Sequence, residues 1–249
     1  MNTPTTRTSH RRTTAALGAV LIALAILPGA ASASQVMFES SVARYKASGG
    51  EDNKVTAEMT SSDTVKFTDT GAVIWNAGPG CTIVDEHTAE CTKPGGLGAV
   101  SVGTGSSDDE VKVELKAYTT RLVIESGSDD DNVKVSGTKY TASINTSSGA
   151  DTIEEGDGRS TIYADGSNNG VGGADVVKAG AQRDVIFGGK QGDTLTGGAG
   201  ADEIRGQQGN DTIDALDGAA DAVLGCGPDQ DTITADPQDN PGADCENVL

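Results

Sequence analysis

Five nine-residue windows run end to end from Gly170 to Asp214, and each carries Asp at its sixth position and a bulky aliphatic at its eighth. The clearest reads Gly197-Gly198-Ala199-Gly200-Ala201-Asp202-Glu203-Ile204-Arg205. Its neighbours place Asp193 before Leu195 and Asp211 before Ile213. Upstream, the same phase gives Asp184 with Ile186 and Asp175 with Val177. One aliphatic per nine residues excludes an amphipathic helix, which needs apolar residues every three or four positions. A period this short and regular points instead to a solenoid in which each turn is buried by its neighbours.

The aliphatic beat extends beyond the five windows. Val111, Leu122, Val133 and Ile144 are evenly spaced, Ile153 and Ile162 follow more tightly, and an insertion from Ala164 to Asn169 precedes Val177. Val223 and Ile233 continue the series past Ile213. Aromatic residues are 3% of the chain and Gly occurs 34 times, which suits a thin, repetitive core rather than a thick globular one. Before about Val100 the repeat is absent. Alternating runs appear there instead, at Lys54–Ala57, Thr64–Phe67 and Ala72–Trp75, separated by turns such as Gly49-Gly50 and Gly78-Pro79-Gly80. The expected organisation is a β-rich N-terminal capping module over 34–100, a parallel solenoid over 101–234 and a C-terminal cap over 235–249.

Residues 1–33 read as a signal peptide. Arg7, Arg11 and Arg12 precede an apolar stretch from Ala15 to Leu27, Pro28-Gly29 breaks it, and Ala31-Ser32-Ala33 suits cleavage after Ala33. That stretch is too short to span a bilayer. The reading implies a secreted, extracellular protein without membrane insertion, whether exported through the general route or a twin-arginine one. The formal net charge of -19 argues against nucleic acid or an anionic membrane as partner and favours multivalent cations. Four Cys in an exported chain imply two disulfides with three possible pairings, and proximity favours Cys81 with Cys91 and Cys226 with Cys245.

Within each window, residues one to six suit a tight loop and seven to nine a short strand. Glycines at one, two and four admit positive φ and close stacking of loops. The repeat, with its G-G-x-G-x-D-x-U-x pattern, resembles the RTX, or hemolysin-type, calcium-binding family. The Gly50-Glu51-Asp52-Asn53 segment, the Cys81…Cys91 loop and the Cys226-Gly227-Pro228…Cys245-Glu246 ending are similar to small exported actinobacterial members. The resemblance implies an all-β, right-handed parallel β-roll with a disulfide-tied C-terminal cap and Ca2+ as ligand. It implies no activity, because such repeats accompany proteases, lipases, cytolysins and adhesins alike.

On that reading two repeats make one turn, and Ca2+ sits between loops two repeats apart. Its ligands would be Asp carboxylates and loop carbonyl oxygens, the hard oxygen donors that Ca2+ takes in sets of six or more. The expected metal residues are Asp175, Asp184, Asp193, Asp202 and Asp211, with Gly189, Gly198, Gly200 and Gly209 supplying loop backbone. The expected pairs are Asp175 with Asp193, Asp193 with Asp211, and Asp184 with Asp202. Asp221 and Asp231 continue the pattern with one-residue slips, and Asp151 begins it. Ser160 takes the sixth position of the next window, where a weak or empty site is expected. Asp109 and Asp131 hold the equivalent place in early coils that lack paired glycines. Gln191, Gln207, Ala179 and Val171 interrupt the glycines elsewhere, so some sites should be partial. Stacked carboxylates repel without a cation, so binding should drive folding.

Catalytic signatures are missing: neither H-E-x-x-H nor G-x-S-x-G occurs. His87 lies in the short Cys81–Cys91 loop beside Asp85, Glu86 and Glu90, where a surface histidine is the simpler reading. The chain is therefore expected to be a calcium-binding protein and not an enzyme, with an adhesin-like binding module as the alternative and an exoenzyme behind that. An adhesive face would need clustered aromatics, for which Tyr118, Tyr140, Tyr163 and Phe187 are the candidates. The spacing identifies no protein or carbohydrate partner.

Overall fold

Alternating burial along each strand builds the core. In the computed structural model, which describes residues 33–116, 120–166, 172–221 and 223–249, Val185–Lys190 buries Ile186 and turns Val185 and Phe187 outward. The signal-peptide reading, Tyr118 and Val171 lie outside the described residues, apart from Ala33. All regular structure among the described residues is strand or short turn, with no helix long and apolar enough to cross a membrane.

The repeats form a parallel β-solenoid. Successive strands alternate between two sheets, so each strand pairs with the one a full turn away rather than with its chain neighbour. In one sheet, Val55, Val111, Val133, Ile153, Val177, Leu195, Ile213 and Ile233 lie in direct register. In the other, Val102, Ile124, Ile144, Ile162, Ile186, Ile204 and Leu224 do so. These side chains are at most 1% exposed. Each contributes about 1.5–3 kcal/mol of apolar burial before chain entropy is subtracted.

Two members of the expected aliphatic series change. Leu122 is buried, but its partners are Val100 and Ala142, and Ile124 occupies the ladder rung beside Ile144. The strand Thr120–Ser128 is nine residues long and points several side chains inward, so an even spacing in the sequence selected the wrong one. Val223 pairs with Glu203, and the rung beside Ile204 belongs to Leu224.

The two sheets continue without a break into the N-terminal region. Val42–Lys46 pairs in parallel with Ala99–Ser106, and Lys54–Met59 with Glu110–Glu114. Beyond them the pairing is mostly antiparallel: Ser34–Glu39 against Val42–Lys46, Lys54–Met59 against Thr64–Asp69, and Thr88–Thr92 against both Thr64–Asp69 and Cys81–Asp85, while Ile74–Ala77 lies parallel to Ser34–Glu39. Larger side chains (Tyr45, Met59, Phe67, Ile74) fill this end of the core. Tyr45 donates a hydrogen bond to Asp69 Oδ2 at 2.5 Å, while Asp69 Oδ1 accepts from the amides of Lys54, Gly71 and Ala72.

Both disulfides join the pairs expected from proximity. Cys81 and Cys91 face each other across antiparallel strands with Cα atoms 4.0 Å apart, and Cys226 joins Cys245 at 5.1 Å. The C-terminal tail then adds to both sheets. Asn247–Val248 pairs with Thr232–Ala235, and the Gly242 amide donates to the Leu224 carbonyl.

Candidate metal sites

Most of the repeat strands from Glu110 onward begin just after an aspartate, and the strand register stacks these aspartates in files. The first file contains Asp109, Asp131, Asp151, Asp175, Asp193, Asp211 and Asp231, all at most 2% exposed. Oδ1 of every member accepts the backbone N–H of the residue one turn earlier, from Asn53 through to Asp211, at 2.7–2.9 Å. The second file runs Ser160, Asp184, Asp202, Asp221 and Asp239, with the same bond at 2.6–2.8 Å.

The other oxygen is not so engaged. Oδ2 is buried without a well-formed hydrogen bond at Asp109, Asp131, Asp151, Asp175, Asp184, Asp193, Asp202, Asp211 and Asp231, and the hydroxyls of Thr104, Ser126 and Thr146 stand beside the first three of these carboxyls. A buried, unsatisfied carboxylate oxygen is costly unless a proton or cation meets it. In the regular windows this oxygen faces the glycine that opens its own loop. A Cβ on Gly206 would stand 2.1 Å from Asp211 Oδ2, and one on Gly188 would stand 2.3 Å from Asp193 Oδ2. The first-position glycine thus keeps open the space into which the orphaned oxygen points.

Burial raises these carboxyls far above the ordinary range, and the neighbouring carboxylates of the file push the same way. Asp184 and Asp193 reach about 8; Asp131, Asp151 and Asp175 about 7; Asp202, Asp211 and Asp221 about 6. Burial lifts Asp109 and Asp231 as well. Among the described residues no three Asp, Glu, His or Cys side chains converge on one point. Any cation here would therefore take one or two carboxylates and complete its shell with backbone carbonyls. That donor set is all oxygen and fits Ca2+.

The family described as RTX calcium-binding nonapeptide repeat (4 copies) matches residues 169–202 and 188–219. These residues are RTX-type repeats. The matched RTX segment holds Asp175, Asp184, Asp193, Asp202 and Asp211, and the rest of the solenoid lies outside it. No curated protein and no solved structure matches the chain.

The expected pairs 175/193, 193/211 and 184/202 are consecutive members of one file, each on adjacent turns. Asp151 lies in the first file, and Asp221 and Asp231 continue the files despite their one-residue slips. Asp109 and Asp131 belong to the first file although their loops lack paired glycines, because the amide–carboxylate bond requires only strand register and an acid. The four glycines expected at the RTX loops lie where turns stack closely. A Cβ on Gly209 would fall 1.7 Å from the Gln191 carbonyl oxygen, and one on Gly198 2.0 Å from that of Gly180. Gly189 and Gly200 are similarly hemmed in by Asp165 and Gln182. Gln191 and Gln207 adopt the glycine-like backbone at φ 67° and 82°.

Four carboxyls escaped sequence reasoning. Asp239 and Glu246 terminate the files by accepting the amides of Asp221 and Asp231. Asp165, in the insertion, is buried and accepts from the Gly173 and Lys190 amides. Glu155 is buried at the first position of the window that holds Ser160, where a glycine is the rule.

The aromatic candidates separate. Tyr163 and Phe187 stack on one outer face with centroids 4.9 Å apart, and Arg205 covers Phe187 at 5.3 Å. Their faces are turned to each other rather than to solvent, a poor platform for a sugar. Tyr140 is buried. His87 is partly exposed, and its Nδ1 lies 2.8 Å from the Asp69 carbonyl and 3.0 Å from that of Ala72.

Proposed function

We propose that this protein is a secreted calcium-binding β-solenoid whose folding is coupled to extracellular Ca2+. The observation that carries the reading is the row of buried Oδ2 atoms without well-formed hydrogen bonds, directed at first-position glycines for Asp193, Asp202 and Asp211. Asp175, Asp193 and Asp211 on one side, and Asp184 and Asp202 on the other, would hold Ca2+ between stacked turns, with carbonyls of the loops containing Gly189, Gly198, Gly200 and Gly209. Asp151, Asp221 and Asp231 would extend the sites outward. Bound Ca2+ supplies charge neutralisation to carboxylates that otherwise repel or must take up protons.

The antiparallel region over 34–100 would act as the N-terminal cap of the solenoid over 101–234, with 235–249 as its C-terminal cap. Disulfides and a signal-like N-terminus support export, and extracellular modules of this kind bind Ca2+ at about 10⁻⁴–10⁻³ M. No catalytic role is assigned.

The test is a Ca2+ titration of the chain from Ser34, following circular dichroism and calorimetric heat against a Mg2+ control. A cooperative gain of β-structure with several ions bound is expected. Identical spectra with Ca2+ and with chelator would overturn the reading.

A further inference from the structure

The second carboxylate file breaks its own rule at its N-terminal end. The window 155–163 has Ser160 where aspartate is expected, and it also has a glutamate where its opening glycine should be. The backbone stays in register: Ser160 donates its amide to Asp184 Oδ1 at 2.6 Å, as an aspartate there would. Glu155 continues the strand edge, donating its amide to the Lys178 carbonyl. The carboxylate of Glu155 folds back over its own loop and reaches Ser160, whose Oγ donates to Oε1 at 2.7 Å. The Tyr140 hydroxyl donates to the same Oε1 from the other side and accepts the Gly156 amide at 3.1 Å.

Oε2 is left over. Glu155 is 6% exposed, and this oxygen is buried without a well-formed hydrogen bond; the Gly158 and Gly180 amides act on the carboxyl only against the larger effect of burial. It lies 2.8 Å from where a Cβ on Gly180 would stand, in the loop one turn on that leads to Asp184. Asp184 is fully buried and its Oδ2 also lacks a well-formed hydrogen bond, with the Gly180 amide a further backbone donor acting on its carboxyl. In the regular windows a side chain at position six reaches the open space over position one. Here the side chain at position one reaches the hydroxyl at position six. The buried carboxylate is retained, with its position in the window exchanged.

We propose that Glu155 and Asp184 form a divalent-cation site of their own between the segments 155–160 and 179–184, so that the file has a working end where Ser160 alone would leave it vacant. The proposal rests on the calcium reading above and extends it to a position that departs from the repeat. Two oxygens without well-formed hydrogen bonds, from adjacent turns, supply the charge, backbone carbonyls complete the shell, and the Tyr140 ring closes the side towards the earlier coils. A Cβ on Gly158 would fall 2.2 Å from that ring, which leaves no room for a wider opening there.

The experiment counts Ca2+ bound to the purified protein by equilibrium dialysis, and then follows Tb3+ luminescence excited through tyrosine. Glu155→Gln should bind one ion fewer than the parent and lose part of the sensitised emission. The double substitution Glu155→Gly with Ser160→Asp, which returns the window to the repeat pattern, should restore the count. Tyr140→Phe should lower the emission, because its ring borders the site. A parent that binds no Ca2+ refutes the calcium reading itself. A parent that binds ions, with Glu155→Gln binding as many at unchanged emission, refutes this site alone. Should Glu155→Gln not fold, the Tyr140→Phe emission decides, and no decrease would overturn the proposal.

Discussion

The Asp193 amide donates to Oδ1 of Asp211, 2.8 Å away and 18 residues further along the chain. One carboxylate thereby tethers two turns through one oxygen and leaves the second oxygen buried and bare. Holding the turn and, on the proposed reading, binding a cation would be two jobs of one side chain, and substitution can separate them.

Asp211→Asn keeps an oxygen able to accept the Asp193 amide and removes the charge. Without metal at about pH 8, its melting temperature should equal or exceed the parent's, because a repulsive member of the file is gone. Its Ca2+ midpoint should rise about tenfold or more, equivalent to about 1.4 kcal/mol or more of binding. Paired thermal melts and Ca2+ titrations read both effects. A lower metal-free melting temperature with unchanged Ca2+ affinity would reverse the assignment of roles.

Acid should stand in for calcium. The file carboxyls bind protons more tightly folded than unfolded, so their contribution is fully present below the ordinary carboxylate range and is lost as pH rises through their folded values, about 6 to 8. Metal-free protein should melt higher at about pH 5 than at about pH 9, and saturating Ca2+ should remove most of that difference. A flat or inverted profile in metal-free buffer would count against unpaired, buried carboxyls.

Gly206→Ala tests the space rather than the ligand. A methyl there would lie 2.1 Å from Asp211 Oδ2 and 2.6 Å from the Cys226 carbonyl oxygen, so it fills the space beside the carboxylate. Calcium affinity should fall as it does in Asp211→Asn, with overpacking adding on the order of 1–3 kcal/mol of destabilisation even in metal-free protein. Chemical denaturation with and without Ca2+ separates the two losses. Undiminished binding would show that the ion sits elsewhere.

Leu195→Ala removes one rung between Val177 and Ile213. A fully buried leucine in a one-residue-wide core has few neighbours able to collapse inward, so about 2–5 kcal/mol of stability should be lost. Leu224→Ala should cost a similar amount, since Leu224 is the rung beside Ile204. Urea unfolding in saturating Ca2+ provides the measurement, and a loss under about 1 kcal/mol at either position would contradict the ladder register.

The regular windows were legible because a fixed period ties Asp193 to Leu195 and Asp202 to Ile204 whatever lies around them. Legibility fell where the period relaxed. The long strand Thr120–Ser128 offers both Leu122 and Ile124 to the core, and spacing alone cannot choose between them. The antiparallel pairings of the N-terminal region, such as Cys81 opposite Cys91 and Ala57 opposite Phe67, depend on turn geometry and long-range burial, which leave no periodic trace. Asp109 and Asp131 join the first file without paired glycines, because strand register rather than loop composition sets membership. Glu155 was missed because a carboxylate at a glycine position looks like an interruption until its reach to Ser160 is seen.

The amide-to-carboxylate bond also has a direction: the donor always precedes its acceptor, by 18 residues between Asp175 and Asp193 and again between Asp193 and Asp211. Excising 188–205 would therefore bring the Asp175 amide to Asp211 and the Asp184 amide to Asp221, with no donor orphaned and the aliphatic rungs realigned. Whole turns can be lost or duplicated seamlessly, so the length of such an array is a freely adjustable dimension during evolution, while its cross-section is not.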